Sequence, residues 1–349
     1  MTRFLFYIPG QTGPSGGVGI LLRWIELLNS NGFEAIAICD KPGYEYVFTK
    51  SAGRTYYSPE MDRAIRAGLR WNDRLKSVLA GFRRDRTNDI TIGADDIIVI
   101  PDFAASWLRD VFPENRQILV IQAQYWLKEA AFQEVVRRNP FNAYIVTSDI
   151  CYDLAQILEL SPLSMVSLAV DPDLFVPAPK NKAIAYMPRR RADDVALTIT
   201  ALKQRNGIAG YDLVPIDGVP VDKVAGILRD SLVFMSFSQD EGFGLPPAEA
   251  MAAGCIVVGF TGGGGDEYFN PEWSFPISDG HVPSLVRKVE EILAEYENDP
   301  KRLDSMRLRA SQIIRERYSY PRQQEGLLEV FGHVANGGDF PERQERLAS

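Results

Sequence analysis

Short apolar runs alternate with longer amphipathic stretches along the chain. The first apolar run spans 4–8, an amphipathic stretch follows at 18–28, and a second apolar run spans 34–39. Strands that alternate with helices favour parallel sheets covered by helices, so the pattern predicts an α/β protein. The other runs of strand length lie at 97–100, 118–121, 143–146, 165–170, 183–187, 212–216, 232–237 and 255–260.

The alternation is interrupted at 171–182, where the sequence DPDLFVPAPKNK is rich in proline and polar residues. Such a composition is typical of a linker. Asp171 and Asp173 flank a proline there, which favours a turn over a metal-binding acid pair. The chain has 349 residues, enough for two domains of ordinary size. We therefore predict one parallel-sheet domain at 1–170, a second at 183–318, and a closing helix with a polar tail at 319–349.

A glycine-bearing stretch in the second domain joins a strand to a helix. A predicted strand at 232–237 is followed by a polar turn at 238–244, and Pro246 and Pro247 fit the first turn of a helix that Gly254 can close. Free backbone N–H groups and the positive end of the helix dipole meet at such a junction. The stretch therefore predicts an anion site.

Two acids flank this predicted anion site. Glu241 lies in the turn, and Glu249 lies in the first turns of the helix. Carboxylates accept hydrogen bonds from hydroxyl groups, so the arrangement suits a ligand with a phosphate centre and polyol ends. A sugar nucleotide has that shape. A glutamate early in a helix is favourable against the dipole in any protein, so Glu249 taken alone has a structural explanation.

The string EGFGLPPAEAMAAG, which contains both acids, resembles the signature of the retaining glycosyltransferases of the family 4 type, the glycosyl transferases group 1. That signature has two glutamates separated by seven residues, with Gly-Phe-Gly after the first. The resemblance implies a GT-B fold, in which two Rossmann-like domains face each other across a cleft. The first domain would bind the acceptor and the second the nucleotide-sugar donor.

What the resemblance implies for chemistry is the transfer of a sugar from a nucleoside-diphosphate sugar, with retention at the anomeric carbon. The acceptor would be a glycan, a lipid-linked molecule or a small molecule, and neither a metal nor another cofactor would be required. Glu241 would act on the donor sugar as a catalytic residue, and Glu249 would hold the ribose hydroxyls. Backbone N–H groups near the sugar and phosphate would come from Gly242, Phe243, Gly244 and Leu245.

Three consecutive arginines follow the predicted strand at 183–187. Arg189 and Arg190 are predicted catalytic residues and Arg191 a donor-binding residue, because guanidinium groups can clamp a pyrophosphate by paired hydrogen bonds. Members of the resembled family usually have Gly-Arg here and a lysine several residues later. This chain has Pro188 and no lysine before Lys203, so the cationic role falls on the arginines. A solvated arginine run is the competing explanation.

Weaker candidates lie outside the main motif. Gly16 and Gly17 follow the first strand, where the family has a glycine pair at the cleft, and they are predicted to complete the donor phosphate site. The family often carries a histidine in this half, but the histidines here are His281 and His333. Asp102, Gln122 and Gln124 are the possible substitutes for that histidine. Gly263, Gly264 and Glu267, which follow the strand at 255–260, suit contact with the acceptor or the sugar.

Composition narrows the function classes. The formal net charge of −8 argues against a general nucleic-acid binder. The three cysteines are far apart in sequence and mostly in apolar runs, which predicts buried free thiols in a reducing compartment. The N-terminus reads as a strand, with no signal peptide, and no run approaches a membrane span, so we expect a cytoplasmic protein. The arginine-rich stretch at 61–86 allows peripheral contact with the inner membrane face, and a solvated basic helix is its plainer explanation.

Two other functions remain open from the sequence. The chain could be a glycosyltransferase-like protein that binds a nucleotide or glycan without turnover, an alternative that the missing histidine and lysine favour and that Glu241 and Glu249 oppose. It could also be a dinucleotide oxidoreductase. The positions of Gly16, Gly17 and Gly19 do not match the spaced dinucleotide fingerprint, which opposes that alternative.

Overall fold

The computed structural model describes residues 2–10, 13, 15–47, 55–68 and 89–341, with side chains omitted for 64–68. Most of the basic stretch at 61–86 lies outside the described residues. Within the described ranges, no helix combines the length and the apolarity that crossing a bilayer requires.

The described chain forms two compact units. Unit 1 comprises the N-terminal residues up to Thr147, Cys151–Val166 and the chain from Gln324 onward. Unit 2 comprises Ser148–Ile150 and Ser167–Gln323.

Unit 1 is built on a parallel sheet, in which the described residues supply seven strands in the order β3-β2-β1-β4-β5-β6-β7. The chain moves outward from β1 to β3, returns to the other side of β1 and then continues to β7, so the order switches between β1 and β4. The strands are Arg3–Tyr7, Glu34–Cys39, Thr55–Tyr57, Ile97–Pro101, Arg116–Ile121, Ala143–Val146 and Leu163–Met165. The helices are α1 to α6 and α12, at Gly16–Ser30, Pro59–Gly68, Ala105–Leu108, Gln124–Lys128, Ala130–Arg138, Asp149–Ile157 and Tyr320–Ala335, and the first residues of α6 and α12 belong to unit 2.

The apolar strands of unit 1 form its core because β-branched and aromatic side chains pack on both faces of a parallel sheet. Phe4 and Phe6 of β1 are fully buried, and the closing helix α12 contributes Phe331 to the same cluster. The ring centroid of Phe331 lies 5.0 Å from that of Phe4 and 5.7 Å from that of Phe6. The C-terminal helix is therefore part of the core of unit 1.

Unit 2 contains the second parallel sheet, in which five described strands follow the order β12-β11-β10-β8-β9. The chain goes from β8 outward to β9 and returns to the other side of β8, so the order switches between β8 and β10. The strands β8 to β12 are Asn181–Tyr186, Asp212–Pro215, Ser231–Glu241, Ile256–Gly263 and Phe275–Pro276. The helices α7 to α11 are Ala192–Gln204, Val221–Asp230, Leu245–Ala252, Val282–Asn298 and Lys301–Arg317.

Three predicted strand boundaries were wrong. Strand β7 ends at Met165, well before residue 170, whereas β10 continues to Glu241, so Glu241 is the last residue of a strand and not part of a turn. The strand β10 can continue because β11 also extends, to Gly263, and pairs with it beyond a bulge at 238–241. Asp240 accommodates this bulge with a left-handed φ of 48°.

Two predictions about individual side chains were confirmed. Cys39, Cys151 and Cys255 are free and buried. Asp171 forms a turn, because its Oδ1 accepts the backbone N–H groups of Asp173 at 2.9 Å and Leu174 at 3.1 Å.

Candidate functional site

The candidate site of unit 2 lies where its strand order switches, at the carboxyl ends of β8 and β10. Open parallel sheets bind ligands in the crevice at this position. The residues after β8 include Arg190, whose Nε lies 3.1 Å from Oε1 of Glu241 at the end of β10. The Arg190 side chain is 51% exposed and that of Glu241 is 23% exposed. The two charges therefore meet at the surface of the switch point.

Burial raises the pKa of Glu241 above its ordinary value, and the charges of Arg190 and Arg189 partly offset that rise. Arg189 is exposed and has no hydrogen bond or ion pair with the part of the chain that the structure describes. The exposed Arg189 guanidinium group near this carboxylate is available to an anionic ligand. The two arginines and Glu241 can thus serve both a phosphate and a hydroxyl-bearing group.

Arg191 differs from its two neighbours. Its guanidinium group forms ion pairs with Asp194 and Asp279 and donates from Nε to the carbonyl oxygen of Ser238 at 3.3 Å. It also lies over the ring of Phe260, and its side chain is only 13% exposed. These contacts explain Arg191 as a brace between loops, and its predicted contact with the donor stays a prediction.

Helix α9 begins directly after β10. Gly244 precedes it with a left-handed φ of 83°, and prolines occupy the first turn. The helix ends at Ala252 and is closed as predicted by Gly254, which has a φ of 76° and donates its N–H to the carbonyl oxygen of Met251, while Cys255 donates to that of Ala250. The first N–H groups of α9 have no partner four residues earlier in the helix, so this terminus favours an anion.

Glu249 occupies the second turn of α9 and has an unusual environment. Its side chain is partly exposed, yet protein atoms crowd the carboxyl group, and burial followed by the nearby charge of Asp171 raises its pKa to about 7. Among the described residues, none donates a hydrogen bond or forms an ion pair with this carboxylate. A desolvated acceptor without a donor is costly in the free protein and becomes favourable when a ligand supplies hydroxyl groups.

The glycines after β11 are explained in part by close packing. A Cβ on Gly264 would lie 2.3 Å from the carbonyl oxygen of Gly242, and a Cβ on Gly262 would lie 2.7 Å from Cβ of Ser238. Gly262 and Gly263 belong to β11 itself, and Gly264 begins a short 3-10 turn. Gly264 therefore allows the β11 turn to approach the β10 turn, whatever else it contacts.

The predicted donor residue Phe243 has a buried side chain. Its ring centroid lies 5.0 Å from that of Tyr268 and 4.8 Å from that of Tyr318. Tyr268 in turn donates its hydroxyl to the carbonyl oxygen of Gly244 at 2.5 Å. The phenylalanine side chain anchors the turn, which leaves only backbone groups of 242–244 for a ligand.

Glu267 is held by two donors within unit 2. Its Oε2 accepts the backbone N–H of Asp149 at 2.9 Å, and its Oε1 accepts the hydroxyl of Tyr318 at 3.0 Å. Burial raises its pKa to about 8 despite these bonds. Both oxygens are engaged, so the geometry accounts for Glu267 without a ligand, and its predicted contact with a sugar stays a prediction.

The predicted residues of unit 1 lie close together, as expected for turns at one sheet edge. Gly16 and Gly17 occupy the first turn of α1 after the capping residue Ser15. Gln122 donates from Nε2 to the carbonyl oxygen of Gly17 at 3.3 Å, and a Cβ on Gly17 would lie 2.6 Å from Oε1 of Gln122. Gln124 is buried within the first turn of α4.

Asp102 is buried and satisfied by backbone donors. Its Oδ2 accepts from the N–H groups of Gln122 at 2.7 Å and Ala123 at 2.9 Å, and its Oδ1 accepts from Phe103 at 2.8 Å. Burial raises its pKa to about 7 and these bonds oppose the rise. Asp102 thus joins the loops after β4 and β5, a role that needs no acceptor.

Comparisons with known proteins agree with this arrangement. Residues 216–310, which contain Glu241 and Glu249, match the family described as glycosyl transferases group 1. An alpha-1,6-glucosyltransferase of Actinobacillus pleuropneumoniae serotype 7 is 25% identical over 267 residues, covering 70% of this chain and 77% of the relative.

Solved structures extend the likeness to the whole fold. Sucrose-phosphate synthase from Thermosynechococcus elongatus aligns with a TM-score of 0.73 at 12% identity, over 97% of this chain and all of that one. The Anabaena protein HepE, solved in complex with UDP-glucose, aligns with a TM-score of 0.63 at 14% identity, over 95% of this chain and all of that one. The chain has the GT-B fold. Together with the family match and the curated relative, this supports a glycosyltransferase.

Within this GT-B chain, the donor-site candidates divide by their present partners. Arg189 and Glu249 have no hydrogen bond or ion pair through their side chains within the described residues, Arg190 and Glu241 pair with each other at the switch point of unit 2, and Arg191 and Glu267 are engaged by other protein groups. No cluster of three or more histidine, cysteine, aspartate or glutamate side chains suited to a metal ion occurs in the described ranges.

Sequence reasoning missed one group of side chains in unit 1. Phe103, Trp107, Tyr125 and Trp126 follow β4 and β5 and gather at the carboxyl edge of the sheet. The available signal was their position, since aromatic residues directly after two neighbouring parallel strands must meet at one edge.

Proposed function

We propose that this protein is a nucleoside-diphosphate-sugar-dependent glycosyltransferase that retains the anomeric configuration, and that unit 2 binds the donor. The observation that carries the proposal is the pairing of Arg190 with Glu241 at the switch point of unit 2, next to the start of α9. Because the relative is an alpha-1,6-glucosyltransferase and HepE was solved with UDP-glucose, UDP-glucose is the first donor to test.

The proposed donor pose follows from the charges. The diphosphate would lie between the N-terminus of α9 and the guanidinium groups of Arg189 and Arg190. Glu249 would accept hydrogen bonds from the ribose hydroxyls, which would satisfy its unpartnered carboxylate. Glu241 would face the donor sugar, where its carboxylate oxygens can accept hydrogen bonds from sugar hydroxyl groups.

In the reaction, the bond between the anomeric carbon and the phosphate oxygen breaks, and the acceptor oxygen bonds to that carbon on the same face. The proton of the acceptor hydroxyl passes to the leaving phosphate, so no protein base is required. The departing diphosphate gains negative charge, and Arg189, Arg190 and the helix terminus stabilise it. We propose that these groups replace a metal ion in this role.

The first experiment separates binding from turnover. A thermal-shift series with UDP, GDP, ADP and NAD identifies the nucleotide, because a ligand at a hundred times its dissociation constant stabilises the fold by about 2.7 kcal/mol. Release of UDP from UDP-glucose then measures turnover. The variant Glu241→Gln should retain the UDP shift and lose most of the release. If no nucleoside diphosphate shifts the transition, the proposal fails.

The same pair of measurements distinguishes a binding protein. A wild-type chain that binds UDP but neither hydrolyses nor transfers any nucleotide sugar would be a glycosyltransferase-like binding protein. A shift with NAD alone would instead favour an oxidoreductase. Each outcome contradicts the proposed reaction.

A further inference from the structure

Unit 1 carries an aromatic cluster at the point where its strand order switches. We define the cluster as Tyr7, Phe103, Trp107, Tyr125 and Trp126. Tyr7 ends β1, Phe103 and Trp107 follow β4, and the last two belong to α4 after β5. The cluster therefore lies at the carboxyl ends of the two strands that flank the switch point and of the next strand, where parallel sheets bind ligands.

The rings of the cluster contact one another in a continuous series. The ring centroid of Tyr7 lies 5.3 Å from that of Trp107 in an edge-to-face arrangement and 6.3 Å from that of Phe103. Phe103 lies 6.5 Å from Trp126, whose ring lies 4.7 Å from that of Tyr125. These spacings are those of favourable aromatic pairs, so the rings form one packed surface.

The cluster is only partly covered. Tyr7 is buried, whereas Phe103, Trp107, Tyr125 and Trp126 keep part of their surface exposed. The indole N–H groups of Trp107 and Trp126 donate to no group within the described ranges. Aromatic faces bordered by free N–H donors suit a ligand that is apolar on one side and hydroxylated at its edges.

Buried polar groups hold the cluster in place. Asp102 accepts N–H groups from Phe103, Gln122 and Ala123, which ties the loop bearing Phe103 and Trp107 to the loop before Tyr125 and Trp126. The hydroxyl of Tyr7 donates to Oδ1 of Asp40 at 3.1 Å. The aromatic side chains are thus oriented by side chains that do not themselves face a ligand, as in a preorganised binding site.

We infer that the aromatic cluster is the acceptor subsite and that the acceptor is itself a saccharide, whose pyranose rings stack on the partly exposed tryptophans of the cluster, Trp107 and Trp126. This inference rests on the proposed glycosyltransferase function. One face of a pyranose ring presents C–H groups, which are attracted to the negative face of an aromatic ring, while its hydroxyl groups point outward to donors and acceptors.

The polar surroundings favour a sugar over a lipid chain. The two indole N–H groups, which donate to no group within the described residues, interrupt the apolar surface of the cluster. A lipid chain would leave these two N–H groups without acceptors, whereas sugar hydroxyl groups satisfy them. The cluster therefore binds the acceptor through its sugar ring and not through an apolar aglycone.

The test measures saccharide binding to the full chain by saturation-transfer NMR, with isomaltose, methyl α-D-glucopyranoside and octyl β-D-glucopyranoside as probes. We expect isomaltose to bind the wild type with the strongest saturation at C–H protons on one ring face. Trp126→Leu should weaken binding about 10-fold, as expected for loss of a central aromatic contact. Trp126→Phe should retain most of it, because the aromatic face remains.

The control is Ile157→Ala, which removes an apolar side chain of unit 1 that is 75% exposed and lies outside the cluster. This variant should bind isomaltose like the wild type. If Trp126→Leu fails to fold, the one-sided saturation pattern in the wild type and the variant Trp107→Leu still test the inference.

Two results would overturn the inference. One is the failure of both isomaltose and methyl glucoside to bind a wild type that shows a UDP shift, which leaves the proposed function intact. The other is binding of octyl glucoside alone, which would assign the cluster to an apolar aglycone. A wild type that binds isomaltose but no nucleoside diphosphate would instead contradict the proposed function.

Discussion

The substitution Glu249→Gln tests whether the unpartnered carboxyl group of α9 is a ligand-binding group. In the free protein this group is crowded by protein atoms and has no donor within the described residues. The glutamine side chain has almost the same shape but cannot ionise. We therefore expect the substitution to stabilise the free protein at alkaline pH and to weaken donor binding, a conflict typical of functional sites.

The stability effect follows from the pKa of Glu249, which burial raises from 4.5 to about 7. Below pH 4.5 the group is protonated in both states, and folding is unaffected. Between pH 4.5 and 7 the unfolded chain loses the proton first, so the free energy of unfolding falls by about 1.4 kcal/mol per pH unit. Above pH 7 the loss is constant, at most about 3.4 kcal/mol, and the partial exposure of the side chain lowers it further.

The binding effect has the opposite sign. A carboxylate that accepts hydrogen bonds from ribose hydroxyls contributes about 1.5–3 kcal/mol per charged hydrogen bond, so Glu249→Gln should weaken UDP binding about 10- to 100-fold at pH 8. At pH 6 the wild-type group is mostly protonated, and the difference between the two proteins should shrink. Comparing the two proteins at each pH cancels the titration of UDP itself.

The assay is urea unfolding and UDP titration of the wild type and Glu249→Gln at pH 5, 6, 7 and 8. A chain with two compact units can unfold in two steps. If the two units unfold at different urea concentrations, both transitions should be recorded. The matched control is Glu325→Gln, an exposed glutamate on α12. If Glu249→Gln gives the same pH dependence of stability as the control and the same UDP affinity as the wild type, the reasoning is refuted.

Three further outcomes are expected. Arg190→Ala should reduce UDP release from UDP-glucose by at least about 100-fold, since it removes a positive charge beside the leaving group, and an unchanged rate would contradict the phosphate role. Excess EDTA should leave that rate unchanged in the wild type, and a loss restored by Mg²⁺ would show that the arginines do not replace a metal. Gly264→Ala should destabilise the protein by several kcal/mol in urea unfolding, because its Cβ would lie 2.3 Å from the carbonyl oxygen of Gly242. The control Gly226→Ala, in a helix with open space around the glycine, should be neutral or stabilising by up to about 1 kcal/mol, and equal effects of the two would refute the packing argument.

The fold was accessible from the sequence because the patterns that define it are local. Apolar runs such as that of β4, where all five residues are buried, have the length and β-branched content of a strand in a parallel sheet. The start and end of α9 were also predictable, since Pro246, Pro247 and Gly254 act through their own backbone geometry. Each of these signals lies within about ten residues of the feature it determines.

Other features depend on residues distant in sequence and were missed for that reason. The extension of β10 to Glu241 requires β11, whose Gly262 and Gly263 lie close enough to pair with it. The partners of Arg191 include Asp279, 88 residues away, so a run of three arginines cannot show which of them is free. Residue type alone could not distinguish Arg191 from Arg189.

Four acids near the sheet edges have a raised pKa, namely Asp102, Glu241, Glu249 and Glu267. Glu241 is paired with Arg190, and Glu249 alone among the four lacks a donor within the described residues. Asp102 accepts three backbone N–H groups and Glu267 accepts two donors, so both are explained as structural groups. Glu249 has neither. A raised pKa therefore does not by itself identify a binding site in this protein, because burial raises it wherever a carboxyl group is enclosed. The distinguishing property is an unfilled requirement for hydrogen-bond donors, and it selects Glu249 as the acid that a polyol would satisfy.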